Sequence, residues 1–465
     1  MSKDIPKNKV KTRTIIYCFI GALGGLLFGL DQGFINGSFE FIVNDWHLTL
    51  SQGESYAGIM LIGAAVGIII SGWFARTAGR RNTLIIAGAV FTVFAILGSI
   101  TQTYFIFYWT RFFIGLAVGS ASFVVPLYLS EIAPTKIRGS MISLYQLYVT
   151  IGICGIYCSN AYIGHHYQSW RPMLGIIALP AALMFVLSFF IPRTPRWLLL
   201  KGKQESALKI LNKTLSSPEE VEKELKEINQ SLGQDKKLET TSALSMMKKG
   251  FFIKAVFLGI ALMAIQQLTG INGIIYYSGI IFKKAGISNP GTGTILIGIV
   301  NVIFTLLGVK LIDRFGRKPL LYAGITIITL TLIVMGTMFA LEDMGTVGHM
   351  IMLVSCLLYI IGAAFSIGPI AWVLCAEIFP LECRDIGITI TTLSNIFFVF
   401  IIVRYSLTLM NMLGGSGMFF VYAGISVLSF LVVKFFVPET RGISLEKIEL
   451  DLKNGVKLRN LGTKY

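Results

Sequence analysis

Twelve apolar segments, each long enough to cross a lipid bilayer, constrain the fold of this chain more than any other feature. They lie near residues 15–36, 54–75, 83–103, 105–129, 140–163, 171–192, 251–282, 292–312, 319–341, 348–376, 386–410 and 416–437. About 20 helical residues span the hydrocarbon core, and helices satisfy their own backbone hydrogen bonds there. Only 14% of residues are charged, against about 25% in soluble proteins. The chain is therefore predicted to be an all-α integral membrane protein.

A polar stretch separates the twelve segments into two sets of six. This predicts an N-terminal segment 1–14, a six-helix bundle 15–192, a linker 193–250 with amphipathic helices, a second six-helix bundle 251–437 and a tail 438–465. Lys and Arg concentrate in alternate loops, and the loops between carry few of them, with Arg171, Lys283 and Lys284 as the exceptions. The positive-inside rule therefore places the basic loops, the linker and both termini in the cytoplasm.

Several other classes of protein are disfavoured. The net charge of +16 is spread over alternate loops rather than one patch, so we expect no nucleic-acid partner. The spacing of the six cysteines fits neither a disulfide framework nor a zinc site. The polar helix positions include no nucleophile–base constellation or metal cluster, so we expect neither an enzyme nor a metal protein.

The segment 251–282 contains polar residues that would be costly if they faced lipid. They are Gln266, Gln267, Asn272 and Tyr276, with Gly270 and Gly273 flanking the asparagine. On an unbroken helix Gln266 and Asn272 would point roughly 120° apart, at about 100° per residue. An interruption at the glycines would turn Asn272 toward the glutamines, and interrupted helices form many transporter substrate sites. The alternative is a set of interhelical hydrogen bonds with no ligand.

Asp31 lies inside the first apolar segment, where a carboxylate needs either a partner or a proton. Arg111, at the start of the fourth segment, is a plausible partner. Burial raises the pKa of an aspartate and a nearby arginine lowers it, so moving the two apart changes its protonation. The pair is therefore predicted to act as a proton switch. A static buried ion pair is the alternative.

The two halves of the sequence repeat. Ile35-Asn36-Gly37 recurs as Ile271-Asn272-Gly273, roughly 240 residues later. At a similar interval, Gly79-Arg80-Arg81 recurs as Gly316-Arg317-Lys318, and Glu131-Ile-Ala-Pro134 recurs as Glu377-Ile-Phe-Pro380. This indicates a duplicated six-helix unit, and two such units with a site between them are typical of transporters.

These motifs, together with Pro195-Arg196-Trp197, Gly368-Pro369 and Pro438-Glu439-Thr440, resemble the sugar porter family of the major facilitator superfamily. Within it, the runs that begin at Gly139, Arg384 and Ser444 are most similar to bacterial galactose–proton and arabinose–proton symporters. The resemblance implies two pseudo-symmetric bundles and alternating access in the cell inner membrane. It also implies a monosaccharide and a proton as partners, a monomer in the lipid bilayer, and no cofactor, since the proton gradient supplies the energy.

The resemblance carries roles to individual positions. The sugar-binding positions are Gln146, Gln266, Gln267, Asn272, Asn301, Trp372 and Asn395. Positions expected to act in gating are Tyr276, Tyr277, Gly368 and Pro369, because Gly-Pro weakens a helix. A cytoplasmic salt-bridge network that latches the halves together matches Arg80, Glu131, Arg138, Asp313, Arg317, Glu377, Arg384 and Glu439.

Two alternatives to a symporter remain open. Proton-coupled members of the family carry Asp at the position of Asp31 and facilitative relatives carry Asn, which favours symport over a facilitative uniporter. A non-transporting sugar sensor needs an output element, and the tail after the last segment is short. Three positions depart from the family pattern. Ile396 replaces a frequent tryptophan beside Asn395, and Arg76 replaces an acidic residue. In Pro192-Arg193-Thr194-Pro195-Arg196, an arginine stands where the family usually has glutamate.

Overall fold

The computed structural model describes residues 11–134, 137–226, 228–229, 249–287, 289–341, 345–379, 384–443 and 445–461, and these residues contain helices and no strand. The N-terminal half consists of α1 (Thr12–Asp45), α2 (Leu50–Thr77), α3 (Arg80–Ile100), α4 (Tyr104–Ile132), α5 (Arg138–Tyr167) and α6 (Trp170–Leu187). The linker contains the short helices α7 (Pro195–Leu200) and α8 (Gln204–Thr214), and residues 218–226 are also helical. The N-terminal half therefore has six spans.

The C-terminal half begins with α9 (Gly250–Leu268), α10 (Ile271–Lys284), α11 (Pro290–Phe315) and α12 (Arg317–Ala340). It continues with α13 (Gly345–Gly362), a π-helical turn (Ala363–Ile367), α14 (Gly368–Ile378), α15 (Arg384–Phe436) and α16 (Leu445–Lys453). Helices α9 and α10 form one interrupted span, as do α13 and α14. The apolar part of α15, Ile386–Phe436, has 51 residues and would be roughly 77 Å long as a straight helix, about two and a half times the hydrocarbon core. Helix α15 is therefore two spans that meet at Gly414, where φ is 72°.

Twelve spans in the described chain confirm the predicted all-α membrane fold. An even number of spans places the linker and the described ends of the chain on one side, here called the linker side. Lys11 Nζ and the Thr14 hydroxyl donate to carbonyls of Asn212 and Thr214, which fixes the start of α1 against α8. The opposite side, with the short connections after α1, α3 and α5, is called the loop side.

Close backbone approach holds the N-terminal half together. A Cβ added to Gly29 would lie 1.9 Å from the Val149 carbonyl oxygen, and one added to Gly115 would lie 1.9 Å from that of Met60. Helix pairs α1–α5 and α2–α4 therefore pack through glycines. Small residues at such contacts are how helices associate in lipid, where hydrophobic burial drives little association.

The predicted interruption between the glutamines and Asn272 is confirmed. Helix α9 ends at Leu268, α10 starts at Ile271, and Gly270 between them has a φ of 94°. The Tyr359 hydroxyl donates to the Thr269 carbonyl at 3.1 Å, so one backbone group released by the break has a partner. The span therefore bends at a fixed point in the middle of its length.

Replacing Gly270 by Ala is expected to destabilise the protein by about 1–3 kcal/mol. The positive φ disfavours a side chain, and an added Cβ would lie 2.5 Å from the Tyr422 ring. Thermal unfolding in detergent measures the effect. Gly424→Ala is the matched control, because a Cβ there meets nothing within 4 Å. Equal melting temperatures for the two variants would show that the break does not depend on glycine.

Candidate functional site

Four predicted amide side chains and one backbone carbonyl form a continuous hydrogen-bonded cluster, here called the amide cluster. Asn272 Nδ2 donates to Gln267 Oε1 at 2.5 Å, and Gln267 Nε2 donates to Gln266 Oε1 at 3.3 Å. Asn395 Nδ2 donates to the same Gln266 oxygen at 2.7 Å, and Gln266 Nε2 donates to the Gly368 carbonyl at 2.7 Å. The cluster therefore joins helices α9, α10, α14 and α15, and the helix break turns Asn272 into it.

The amide cluster keeps hydrogen-bonding capacity for a ligand. All four amide side chains are buried. An amide NH₂ carries two donors and an amide oxygen accepts twice. The bonds above use one N–H each of Gln266, Gln267 and Asn272, so each retains a donor. Such an arrangement suits a ligand with several hydroxyl groups.

Trp372, Asn301 and Gln146 lie outside this chain of hydrogen bonds. Trp372 is 36% exposed and lies one turn after Gly368 on α14. Asn301 Oδ1 accepts from Thr305 on its own helix α11 at 3.4 Å. Gln146 is half-buried on α5, in a stretch (141–148) in which every residue is half-buried. The structure thus brings four of the seven predicted sugar positions into direct contact.

Asp31 and Arg111 form a buried two-fold hydrogen-bonded ion pair. Arg111 Nη2 donates to Asp31 Oδ2 at 3.0 Å and Nη1 donates to Oδ1, and both residues are 0% exposed. The Phe34 ring lies against the guanidinium, 5.2 Å from ring centre to Cζ. The pairing predicted from the sequence is confirmed. Two charge-assisted hydrogen bonds therefore join α1 to α4 inside the N-terminal half.

The two halves are in contact on the loop side. Asn36 Nδ2 on α1 donates to the Ile275 carbonyl at 2.9 Å and to the Ser278 hydroxyl at 2.7 Å. The Tyr157 hydroxyl on α5 donates to the same Ile275 carbonyl at 2.5 Å. Both tyrosines predicted to act in gating, at positions 276 and 277, are fully buried beside these contacts. Access between the halves from the loop side is therefore closed in this structure.

A second buried acid, unlike Asp31, lies between the halves, and reasoning from the sequence did not find it. Glu54 on α2 is 0% exposed and accepts from Arg404 Nη1 at 3.4 Å and from the Thr408 backbone N–H at 2.9 Å. The Thr408 hydroxyl donates to Glu54 Oε2, the oxygen that Arg404 also contacts, whereas the backbone N–H donates to Oε1. The available signal was a lone arginine inside the segment 386–410, since ionisable residues within spans are rare and functional.

Two of the loop-side cations that break the positive-inside pattern have acidic partners, whereas Lys284 donates to the Asn411 amide oxygen at 2.8 Å. Arg171 Nη1 lies 2.8 Å from Asp45 Oδ2, and Lys283 Nζ lies 2.7 Å from Glu40 Oε2. The first pair joins helices of the N-terminal half, whereas the second joins the two halves. The charges of Arg171 and Lys283 are thus balanced locally.

The predicted salt-bridge residues repeat the same geometry in both halves. Arg80 Nη2 lies 2.7 Å from Glu131 Oε1, and Arg317 Nη2 lies 2.8 Å from Glu377 Oε1. Glu439 accepts from the backbone N–H groups of Arg317 and of the next residue, at 3.1 and 2.9 Å. A carboxylate at this position stabilises the start of α12. The sequence repeat is therefore also a repeat of structure.

These ion pairs lie within one half, whereas the family resemblance places a network between the halves. Arg138 pairs with Glu224 of the linker at 2.9 Å. The side chains of Asp313 and Arg384 lie outside the described part of the structure. In the conformation that the structure shows, the loop side is closed and the Arg80–Glu131 and Arg317–Glu377 ion pairs each lie within one half.

The predicted weak point at Gly368-Pro369 coincides with irregular helix. A π-helical turn, Ala363–Ile367, precedes it, and α14 begins at Gly368 with Pro369 at its first turn. Proline fits that position because it lacks an N–H group. The same Gly368 supplies the carbonyl that Gln266 binds. The bend and the amide cluster therefore share a residue.

Replacing Ile396 by Trp tests whether this position faces the ligand. Ile396 is 6% exposed and follows Asn395 of the amide cluster. If the indole reaches the ligand, hexose binding should tighten by about 0.5–2 kcal/mol. The burial found here instead leads us to expect overpacking, which costs about 1–3 kcal/mol of stability. Thermal stability and sugar affinity measured on the same variant separate the two outcomes. A stable variant with tighter binding would contradict our expectation.

The fold and site define a class: a membrane transporter of twelve spans in two halves, with polar groups buried in each. The chain belongs to the sugar transporter family, whose model, described as "Sugar (and other) transporter", matches residues 17–452. It is 40% identical to the galactose-proton symporter of Escherichia coli strain K12 over 455 residues, 97% of each chain. It is 38% identical to the arabinose-proton symporter of the same strain, over 95% of this chain and 94% of that one.

Solved structures agree. A major facilitator superfamily proton:xylose symporter bound to 6-bromo-6-deoxy-D-glucose matches with a TM-score of 0.78 and 29% identity, over 94% of this chain and 98% of that one. An inward open xylose transporter from E. coli matches with a TM-score of 0.79 and 28% identity, over 94% and 99%. The predicted family and the two-bundle fold are confirmed. The family is one of transporters rather than enzymes.

Proposed function

We propose that this protein carries a monosaccharide together with a proton across the cell inner membrane by alternating access. The observation that carries the proposal is the Asp31–Arg111 pair, fully buried in the N-terminal half of a chain whose C-terminal half holds the amide cluster. A buried acid with a single cationic partner is a group whose protonation changes when that partner moves. The relatives named for galactose–proton and arabinose–proton symport support the same reading.

The proton step uses Asp31. A proton from outside neutralises the carboxylate, and the neutral group no longer holds Arg111 by charge. The two side chains separate, and the N-terminal half changes its packing against the C-terminal half. A gradient of ~150 mV supplies about 3.5 kcal/mol per proton, enough for a few-hundred-fold accumulation.

The sugar step uses the amide cluster with Trp372. The hydroxyl groups of the sugar pair with the remaining donors of Gln266, Gln267 and Asn272, and the indole covers the C–H face of the ring. Asn301 and Gln146 join from α11 and α5 when the halves close around the sugar. The bends at Gly270 and Gly368 allow α10 and α14 to move, and the tyrosines at 276 and 277 close the loop side.

The proposal also assigns the two sides of the protein to the two sides of the membrane. Residues 15–192 and 251–437 form the two moving bundles, with 193–250 as linker and the segments 1–14 and 438–465 at the ends. The linker side, which carries Arg80, Arg138 and Arg317, faces the cytoplasm, as do both termini. The working unit is a monomer, and the salt-bridge residues latch the halves together on the cytoplasmic side when the loop side opens.

Uptake of radiolabelled galactose, glucose, arabinose and xylose, with and without a proton uncoupler, tests the proposal. Cells that express the protein are expected to concentrate at least one of these sugars, and the uncoupler is expected to abolish that accumulation. Uncoupler-insensitive equilibration would instead indicate a facilitative uniporter. Binding without transport would indicate a sugar sensor.

A further inference from the structure

Glu54 makes a compact set of contacts between the halves, here called the Glu54 latch, which the proposed transport steps above do not use. The carboxylate comes from α2 of the N-terminal half, and its partners Arg404 and Thr408 come from α15 of the C-terminal half. Arg404 Nη2 also donates back to Ser51 Oγ on α2 at 2.9 Å. The latch thus joins α15 to two residues of α2, Glu54 and Ser51, at the loop side.

The contacts of Glu54 depend on the halves being closed on the loop side, because its carboxylate is buried between them. Glu54 is 0% exposed, and a buried carboxylate is stable only while charged or hydrogen-bonding partners surround it. The groups that donate to the Glu54 carboxylate, Arg404 and the backbone and hydroxyl of Thr408, all belong to the opposite half. When the halves separate on the loop side, Glu54 loses the backbone N–H, the hydroxyl and the guanidinium together. The latch therefore favours the conformation that is closed on the loop side.

We propose that Glu54 is a positioning residue that sets how often the transporter opens to the outside, an inference that rests on the proposed function and topology. If the outward-open form is a minor population, the apparent dissociation constant for external sugar is the intrinsic constant divided by that population. Weakening the latch then lowers the apparent KM for external sugar. It does so without contact between Glu54 and the sugar.

The chain provides a matched control for this idea. Glu40 and Lys283 also join the two halves on the loop side, at 2.7 Å, but their side chains are 44% and 65% exposed. Exposed ion pairs contribute little because water and salt screen them. Glu40→Gln therefore removes an ion pair between the halves with little effect on the equilibrium.

The experiment measures opening directly with Ser278→Cys. Ser278 is 0% exposed and accepts from Asn36 across the interface, so an impermeant maleimide reaches it only when the loop side opens. Labelling is measured in right-side-out and inside-out vesicles, and the parent chain without this cysteine gives the background. Glu54→Gln is expected to raise the labelling rate from outside about tenfold, the usual effect of losing a charge-assisted buried bond. Glu40→Gln is expected to stay within about twofold.

Two further measurements keep the inference falsifiable. Thr408→Val removes only the hydroxyl donor, so a smaller rise in the same direction is expected even if Glu54→Gln does not fold. In uptake assays, Glu54→Gln is expected to lower the KM for external sugar about threefold while accumulation stays uncoupler-sensitive. Labelling rates for both variants equal to that of Glu40→Gln would overturn the latch.

Failure of the latch and failure of the proposed function give different results. Labelling of Ser278→Cys needs no sugar, so it reports the latch even if the wild type transports none of the sugars tested. Wild-type uptake without proton coupling would overturn the proposed function alone. Labelling mainly from inside-out vesicles would overturn the proposed topology, and with it the assignment of the latch to the outer side.

Discussion

Replacing Asp31 by Asn is expected to abolish sugar accumulation while sugar exchange across the membrane remains measurable. Asparagine keeps an oxygen that accepts from Arg111 but cannot take up a proton, so the cycle loses its driving force. The effect should be the full loss of a few-hundred-fold accumulation for one proton at ~150 mV. Uptake into energised cells measures accumulation, and counterflow in de-energised cells measures exchange.

Asp45→Asn is the matched control for this variant. Asp45 lies at the end of the same helix and pairs with Arg171 at 2.8 Å, but its side chain is partly exposed. It should therefore accumulate sugar like the wild type. An Asp31→Asn protein that still concentrates sugar to the wild-type level would show that coupling resides elsewhere.

Replacing Gln266 by Ala is expected to weaken sugar binding by about 1–3 kcal/mol, roughly 5- to 150-fold in Kd. Gln266 is the central member of the amide cluster, because it accepts from Gln267 and Asn395 and donates to the Gly368 carbonyl. Its loss removes a ligand partner and also releases two neighbouring amides. Isothermal titration calorimetry on the purified protein measures the affinity directly.

Asn411→Ala provides the control, since this amide lies on the loop side and accepts from Lys284 instead of the cluster. Its affinity should match the wild type. Unchanged affinity in Gln266→Ala would place the sugar outside the amide cluster. A parallel thermal unfolding curve distinguishes lost binding from lost folding.

The sequence predicted the parts of the site that depend on local pattern. Glycines beside a polar residue in an apolar segment predicted the break at Gly270. The break turns Asn272 toward the glutamines, as expected. That Asn272 bonds to Gln267, and that Gln266 also bonds to Asn395 and Gly368, depends on how three other helices pack. Spacing along one helix contains no information on that packing.

The Glu54 latch shows what local pattern leaves out. Its partners Arg404 and Thr408 lie 350 and 354 residues after Glu54 in the sequence. Both charges lie near the ends of predicted apolar segments: Glu54 begins the segment 54–75, and Arg404 lies near the end of the segment 386–410. The capping box at Thr49 starts α2 four residues earlier, at Leu50, which draws Glu54 into the span. Only the assembled fold brings the two together.

The central claim is that sugar and proton cross together, and sugar-dependent proton movement tests it most directly. De-energised cells that express the protein are suspended in weakly buffered medium, and external pH is recorded when a transported sugar is added. The account predicts a rise in external pH as protons enter with the sugar, and no rise with Asp31→Asn. Entry of sugar into wild-type cells without any change in external pH would contradict it.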